Sequence, residues 1–330
     1  MKIKIYFSVL VLAILIYSCK DDDDNVVDNF DHAAQAIKDD VTIREYLETH
    51  FYVPPTGNEP FGVVDTLENA EVSILDSEHM NIQIVNLGDV DYTLYYLKNF
   101  SEGIGESASK VDSVFVKYQG LLMNYSDEPK FDERITYTWF TLNAVISGWS
   151  YGFPNYRPGE NISLPDMPIE YENTGKGMLF IPSGLAYRNI GTSGISPNEP
   201  IMFHIELAQV EEADHDRDTV SSNYENLDND DDYNNDDTDN DSVPNYLDVD
   251  DDGDRILTQF ENADPNGDGN PNDALDTDGD NTPNFLDDDD DGDGKTSIRE
   301  NADPNGDGNP EDALDSNGDD IPDYLDPDTN

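Results

Sequence analysis

Carboxylates at alternate positions are the first chemistry this chain offers. Asp289, Asp291, Asp293, Gly294, Ser297 and Glu300 fall at positions 1, 3, 5, 6, 9 and 12 of a twelve-residue loop. Asp250, Asp252, Asp254, Thr258 and Glu261 keep the same register, with Arg255 where the glycine would be. A second loop type places Asp at position 12: Asp237, Asp239, Asp241 and Asp248; Asp276, Asp278, Asp280 and Asp287; Asp315, Asn317, Asp319 and Asp326. A tight loop turns every second oxygen toward one centre. Six to eight hard oxygens in irregular geometry suit Ca²⁺. The expected role of the ion is structural.

The charge balance bounds the partners. The chain has 330 residues, 17 Lys or Arg and 74 Asp or Glu, for a formal charge of −57. From Glu212 onward there are 42 acidic and 4 basic residues, so −38 of the −57 lies in the last third. Nothing here could neutralise phosphates, which excludes a nucleic-acid binder. The excess points to cations as partners, or to disorder. A single cysteine excludes a disulfide framework and any multi-cysteine zinc site. The five histidines, His32, His50, His79, His204 and His215, are scattered and read as structural.

The elements that carry the acidic loops repeat with a period of 39. Pro244 to Asp248 recurs at Pro283 to Asp287 and Pro322 to Asp326, and Glu261 to Gly269 recurs at Glu300 to Gly308. Such a period argues for a repeat architecture. The helices that flank EF-hand loops are missing, and Tyr246, Leu247, Phe285, Leu286, Tyr324 and Leu325 are nearly all the apolar content. Residues 212–330 resemble the thrombospondin type 3 repeats in a cysteine-free form. That resemblance implies a chain wrapped around successive calcium ions in place of a core. The competing reading is an acidic disordered tail that binds cations loosely.

Upstream, Ile43, Leu47, His50 and Phe51 predict a helix from about Asp31 to Phe51, ended by Val53-Pro54-Pro55. Short strands are expected at Val72–Ile74 and Ile82–Ile84. Residues 31–89 read as an accessory segment. Period-two alternation at Tyr92–Tyr96, Val114–Tyr118 and Phe203–Leu207 predicts an antiparallel sheet with one buried face. Val145, Ile146 and Trp149 can share one face of a short helix, giving an α+β domain over residues 90–211.

The order of motifs in that domain says more. Val116-Lys117-Tyr118-Gln119-Gly120-Leu121-Leu122 precedes Lys130-Phe131-Asp132, Trp139-Phe140-Thr141-Leu142 and Val145-Ile146-Ser147-Gly148-Trp149. Phe180 to Tyr187, Gly191 to Asn198 and Ile201 to Leu207 complete the series. This region resembles the FKBP-type peptidyl-prolyl cis–trans isomerases. The resemblance implies a twisted five- or six-stranded antiparallel sheet wrapped on a short helix, with a pocket between them. It implies that Tyr118, Phe131, Asp132, Phe140, Val145, Ile146, Trp149, Tyr187, Ile195 and Phe203 line that pocket. Trp149 would be its floor, and the Ile146 N–H and Tyr187 hydroxyl would bond substrate carbonyls. Asp132 would be a polar wall, and Ile195 would belong to a loop over the mouth. The partners would be proline-containing polypeptides, and no cofactor is needed for catalysis. Thr138, Arg188 and Ser196 depart from the family pattern, and an insertion between Gly152 and Gly175 reads as a loop or bulge near the pocket.

The amino terminus reads as an export signal. Lys2 and Lys4 precede an apolar run to Tyr17, then Ser18 and Cys19. Residues 1–18 resemble a bacterial lipoprotein signal peptide, which implies cleavage before Cys19 and its lipidation. Within the tether 19–30, Lys20 to Asp24 resembles the surface-export signal of Bacteroidota lipoproteins. The expected protein is a membrane-anchored lipoprotein of the outer membrane and cell surface. It would act as a prolyl isomerase with a calcium-stiffened arm. Two other readings compete: a non-catalytic peptide-binding domain, and a surface adhesin that works through its repeats.

Overall fold

The computed structural model describes residues 30–55, 59–68, 71–101, 103–123, 130–165, 167–230 and 232–329. The expected signal peptide, Cys19 and the expected tether up to residue 29 lie outside the described residues. No helix among the described residues is long and apolar enough to cross a membrane.

Helix α1 spans His32–Thr49 and buries Ala36, Asp39, Ile43 and Leu47, a stripe at helical spacing. It does not stop at the prolines. It runs directly into strand β1 (His50–Val53), which pairs with β2 (Val63–Thr66), so Pro54 and Pro55 end a strand instead. The helix closes at His50, whose ring stacks on Tyr46 with centroids 3.9 Å apart while its Nδ1 lies 2.8 Å from the Tyr46 carbonyl. The strand expected at Val72–Ile74 is an irregular segment. The Ile74 and Leu75 N–H groups donate to the His50 and Leu47 carbonyls, and Ile74 is buried beside α1.

The main sheet contains β3 (Met80–Leu87), β4 (Val90–Ser101), β5 (Ser113–Leu122) and β6 (Lys130–Thr141). After the short helix α2 (Ser147–Ser150) come the small strands β7 (Glu160–Asn161) and β8 (Tyr171–Glu172), then β9 (Gly175–Ile181) and β10 (Ile201–Glu211). Its order is β3-β4-β9-β10-β5-β6, with every neighbouring pair antiparallel. The strand expected around Ile82 is therefore the edge of this sheet and not part of an accessory segment. Gly88 and Asp89 both take positive φ (60° and 63°), as a two-residue hairpin demands, and join β3 to β4.

Both faces of the central strands are buried, where the alternation predicted one. On one face Leu94, Val116, Leu179, Ile181, Phe203 and Ile205 pack with Trp149 of α2. On the other, Tyr95, Leu97, Met178, Phe180 and Met202 pack under Ile43 and Leu47 of α1. The helix is the second cover. Burying Ile43 and Leu47 completely contributes about 1.5–3 kcal/mol each.

The insertion after Gly152 begins beside the pocket, with Phe153 edge-on to Trp149, and is an exposed loop only in its second part. Its first part is core: Phe153 and Tyr156 are fully buried. The Tyr156 hydroxyl lies 3.2 Å from the Leu97 carbonyl and 3.1 Å from that of Met178, beside the slip in β4 register between Lys98 and Ser101. Its second part, the β7–β8 hairpin, places Tyr171 against Tyr137 and Phe115 at 5.2 and 6.2 Å. Phe115 is on the face of β5 opposite Tyr118.

Beyond Glu211 the chain forms single 3₁₀ turns, among them Asn245–Leu247, Thr258–Phe260, Asn284–Leu286 and Asp323–Leu325. Each repeated aromatic seats in a small apolar cluster. Tyr246 packs with Val111 and Tyr233, Phe285 with Val220 and Ala263, and Tyr324 with Ile256 and Ala302.

Candidate functional site

The residues named from the motif order converge on one face of the sheet. β5 contributes Tyr118, β10 Phe203, and the two ends of β6 contribute Phe131 with Asp132 and Phe140. Trp149 sits at the centre, 4% exposed. Its ring meets Tyr118, Phe140, Phe203 and Phe153 edge-on at 5.0, 5.3, 5.2 and 5.1 Å. Phe131 meets Phe203 edge-on at 5.5 Å. Edge-to-face rings at these distances attract beyond simple burial. Val145, Ile146 and Tyr187 pack against the same cluster, and Ile195 is buried in it.

Two glycines let these elements close. A Cβ on Gly120 would lie 2.6 Å from the Phe131 ring and 2.8 Å from that of Phe203. A Cβ on Gly148 would lie 2.3 Å from Ile181 Cγ2, so α2 lies against β9 only because that position is bare.

The polar groups are few. The Tyr118 hydroxyl donates to Asp132 Oδ2 at 2.6 Å, while Asp132 Oδ1 accepts from the Glu133 N–H at 2.8 Å. Burial, then the hydrogen bond to Asp132, push the Tyr118 hydroxyl well above its ordinary range, so it stays a donor. Burial, then the Asp132 charge, push Tyr187 up as well. Ile146 is the extended residue before α2, and its carbonyl accepts from the Trp149 N–H at 2.8 Å. Its own N–H donates to no group among the described residues. Trp149 Nε1 is likewise buried without a partner among them.

Arg188 holds a conformation that suits glycine, with φ 51°. It is pinned there because its N–H donates to the Ser183 carbonyl (2.8 Å) and its carbonyl accepts from the Asn198 N–H (2.7 Å). Thr138 sits in β6 opposite Val116, and Ser196 is exposed in the loop after Ile195.

One residue that supports the site was not foreseen. Asp39 of α1, 1% exposed, accepts from the Ser183 N–H at 2.7 Å and the Ser183 hydroxyl at 2.6 Å through Oδ2. Gln35 Nε2 donates to its Oδ1 at 2.7 Å. Ser183 opens the turn that delivers Tyr187, so α1 reaches the pocket from the far side of the sheet. Burial raises the Asp39 carboxyl, and the bonds from Ser183 and Gln35 oppose that shift. The readable signal was an aspartate inside the apolar stripe of α1.

In the acidic region, Asp252, Asp254 and Glu261 of one loop lie with Asp290, each offering an oxygen within 4.8 Å of the others. All four are buried. Asp237, Asp239 and Asp241 form a second such group, and Asp276, Asp278 and Asp280 a third, both more exposed. Asp250, Asp289, Asp291 and Asp293 each have a buried oxygen without a hydrogen-bond partner among the described residues. Glu300 pairs with Lys295 at 3.4 Å. At the position-12 residues, Asp248 and Asp287 accept from the N–H two residues on, and Asp326 accepts from Asn317 Nδ2 at 2.9 Å. Asp315 and Asp319 accept the Gly318 and Ile321 N–H groups.

Burial, then neighbouring carboxylates, push Asp290 to about 9 and Glu261 well above its usual range. That many buried carboxylates fit a hard cation, which would remove their repulsion. Asp290 was not foreseen, because it belongs to the next repeat and only folding brings it to Glu261.

Residues 105–208 match the family described as FKBP-type peptidyl-prolyl cis-trans isomerase. Residues 215–271 match a family described as BamM C-terminal. The curated protein FkpA of Escherichia coli (strain K12), an FKBP-type peptidyl-prolyl cis-trans isomerase, is 35% identical over 114 residues, 34% of this chain and 36% of that protein. The peptidyl-prolyl cis-trans isomerase Mip of Coxiella burnetii is 29% identical over 114 residues, 34% of this chain and 43% of that one. The chain thus spans little more than a third of the length of the FkpA relative it matches. The crystal structure of FkpA from Escherichia coli is 25% identical, covering 54% of this chain and 62% of that one, with a TM-score of 0.33.

Proposed function

We propose that this protein is a peptidyl-prolyl cis–trans isomerase that acts on X–Pro bonds of exported or surface polypeptides. The observation that carries the reading is the aromatic cage around Trp149, with the Ile146 N–H and the Tyr187 hydroxyl beside it. Rotation about an X–Pro bond meets a barrier of about 18–20 kcal/mol and takes tens of seconds unaided. No covalent bond breaks, so neither nucleophile nor general base is required.

The barrier falls when amide resonance weakens. An apolar cage strips water from the prolyl carbonyl and holds the twisted amide better than the planar one. The Trp149 ring would carry the pyrrolidine. The Ile146 N–H and Tyr187 O–H would fix the flanking carbonyls, and the Tyr118–Asp132 pair would form the polar wall. A lipid on Cys19 would hold the protein at the outer membrane, and the carboxylate loops after Glu211 would take Ca²⁺ and stiffen into an arm.

The exposed Ile162, Leu164, Met167 and Ile169 of the β7–β8 hairpin favour a second reading, a domain that holds unfolded chains without turnover. Proline-limited refolding of a test protein separates the two. The full chain should accelerate the slow phase, and Tyr187→Phe should reduce kcat/KM about tenfold. A slow phase unchanged by the wild-type chain would leave only the holding role.

A further inference from the structure

The acidic segment begins with a group of carboxylates upstream of the 39-residue repeats. Asp214, Asp216 and Asp218 lie with oxygens within 4.8 Å of one another, and so do Asp218, Glu225 and Asp251. The two groups share Asp218. We propose that Asp214, Asp216, Asp218, Glu225 and Asp251 form a divalent-cation site of the calcium class that ties the isomerase domain to the arm. The proposal rests on the reading that the arm takes calcium.

The unpartnered atoms point to a ligand. Asp218, Glu225 and Asp251 are each 1% exposed. Asp216 Oδ2, Asp218 Oδ2 and both carboxylate oxygens of Glu225 and Asp251 are buried with no hydrogen-bond partner among the described residues. The other oxygens orient the loop. Asp214 Oδ1 accepts the Arg217 N–H, Asp216 Oδ1 the Asp218 N–H and Asp218 Oδ1 the Val220 N–H, at 2.6, 3.3 and 2.8 Å. Buried carboxylates with nothing to neutralise them would repel one another strongly, and a small hard cation removes that cost. An all-oxygen set in a flexible loop suits Ca²⁺ better than Zn²⁺. The nearby His215 places Nδ1 2.8 Å from Ser222 Oγ and meets the Tyr246 ring edge-on at 5.6 Å.

The position of the site gives it a consequence. It starts three residues after β10 ends. The Ala213 N–H donates to Asp112 Oδ1 (3.3 Å), and the Asp112 carbonyl accepts from the Leu142 N–H (2.9 Å). Leu142 opens the 3₁₀ turn Leu142–Ala144 that leads into Val145 and Ile146. Asp251 comes from beyond Tyr246, which packs on Val111 and lines one cavity with Asn143 of that turn. Closing the site on Asp251 therefore draws the first repeat against the segment that leads into β5 and the turn that leads into Ile146.

The test counts bound Ca²⁺ on the full chain by native mass spectrometry and follows amide exchange at Ala213 and Leu142 in calcium and in EDTA. Wild type should show slower exchange at both amides in calcium, by about tenfold or more. Glu225→Gln with Asp251→Asn should bind at least one ion fewer and lose that protection. Asp278→Asn with Asp280→Asn should lose only its own ion and keep it. The proposal is overturned if the Glu225/Asp251 variant binds as many ions as wild type, or if calcium leaves exchange at both amides of wild type unchanged. The wild-type exchange decides the matter if the variant does not fold. A wild-type chain that binds no calcium would overturn the arm reading as well, whereas isomerase activity enters none of these readouts.

Discussion

Two regions of this chain solve the problem of order in opposite ways. Residues 80–211 form a six-stranded sheet with fully buried Leu94, Leu179 and Phe180 and covers on both faces. Residues 212–329 bury Asp218, Glu225, Asp251, Asp254, Glu261 and Asp290 almost as completely, with small clusters of three buried apolar side chains among them. Removing water stabilises the first core and opposes the second. The first should hold together in plain water, while the second needs a counter-charge.

Removing that counter-charge should split the regions most sharply. In EDTA, residues 212–329 should become protease-sensitive within minutes while the sheet domain stays intact, and calcium should restore resistance. Limited proteolysis read by mass spectrometry checks this. Equal resistance of the arm in both conditions would break the contrast.

Trp149→Ala should strike the other region alone. Opening a cavity among Tyr118, Phe140, Phe153 and Phe203 should cost about 3–5 kcal/mol in urea unfolding of the sheet domain. Bound calcium in the arm should not change.

Acid should weaken the sheet domain through one buried ring. His204 is buried between Tyr52 and Phe61, and burial lowers its pKa from 6.5 to about 4. The unfolded chain takes up the proton near 6.5 and the folded one only near 4. Stability from neutral His204 is therefore complete above pH 6.5 and is lost as pH falls from 6.5 toward 4, by about 3 kcal/mol. Urea unfolding of His204→Leu should lack this component across that window, relative to wild type.

The smallest effect belongs to one backbone position. Arg188→Gly should raise the stability of the sheet domain by about 1 kcal/mol, since glycine takes φ 51° without strain. Thermal unfolding of the two forms gives the comparison.

Local pattern made part of this legible. Alternation marked β4, β5 and β10, and the order of short motifs picked out Trp149, Tyr118, Phe203 and Phe131, which pack in one cluster. What escaped depends on partners distant in sequence. β3 shows as an edge strand only once Gly88 and Asp89 are seen to turn tightly onto β4. Two-sided burial of the sheet requires α1, and nothing in α1 alone states which surface it covers. Asp39 reaches Ser183 across 144 residues. Asp251 and Asp290 lie between the positions of their own loops, so spacing leaves them out, and each completes the preceding cluster from the repeat that follows.

The most direct measurement is two-dimensional NMR exchange on a short proline peptide mixed with a catalytic amount of the full chain. The account predicts cis–trans exchange cross-peaks within a second, where the free peptide takes tens of seconds, and their loss with Trp149→Ala. A peptide that exchanges no faster with the wild-type chain than alone would contradict it.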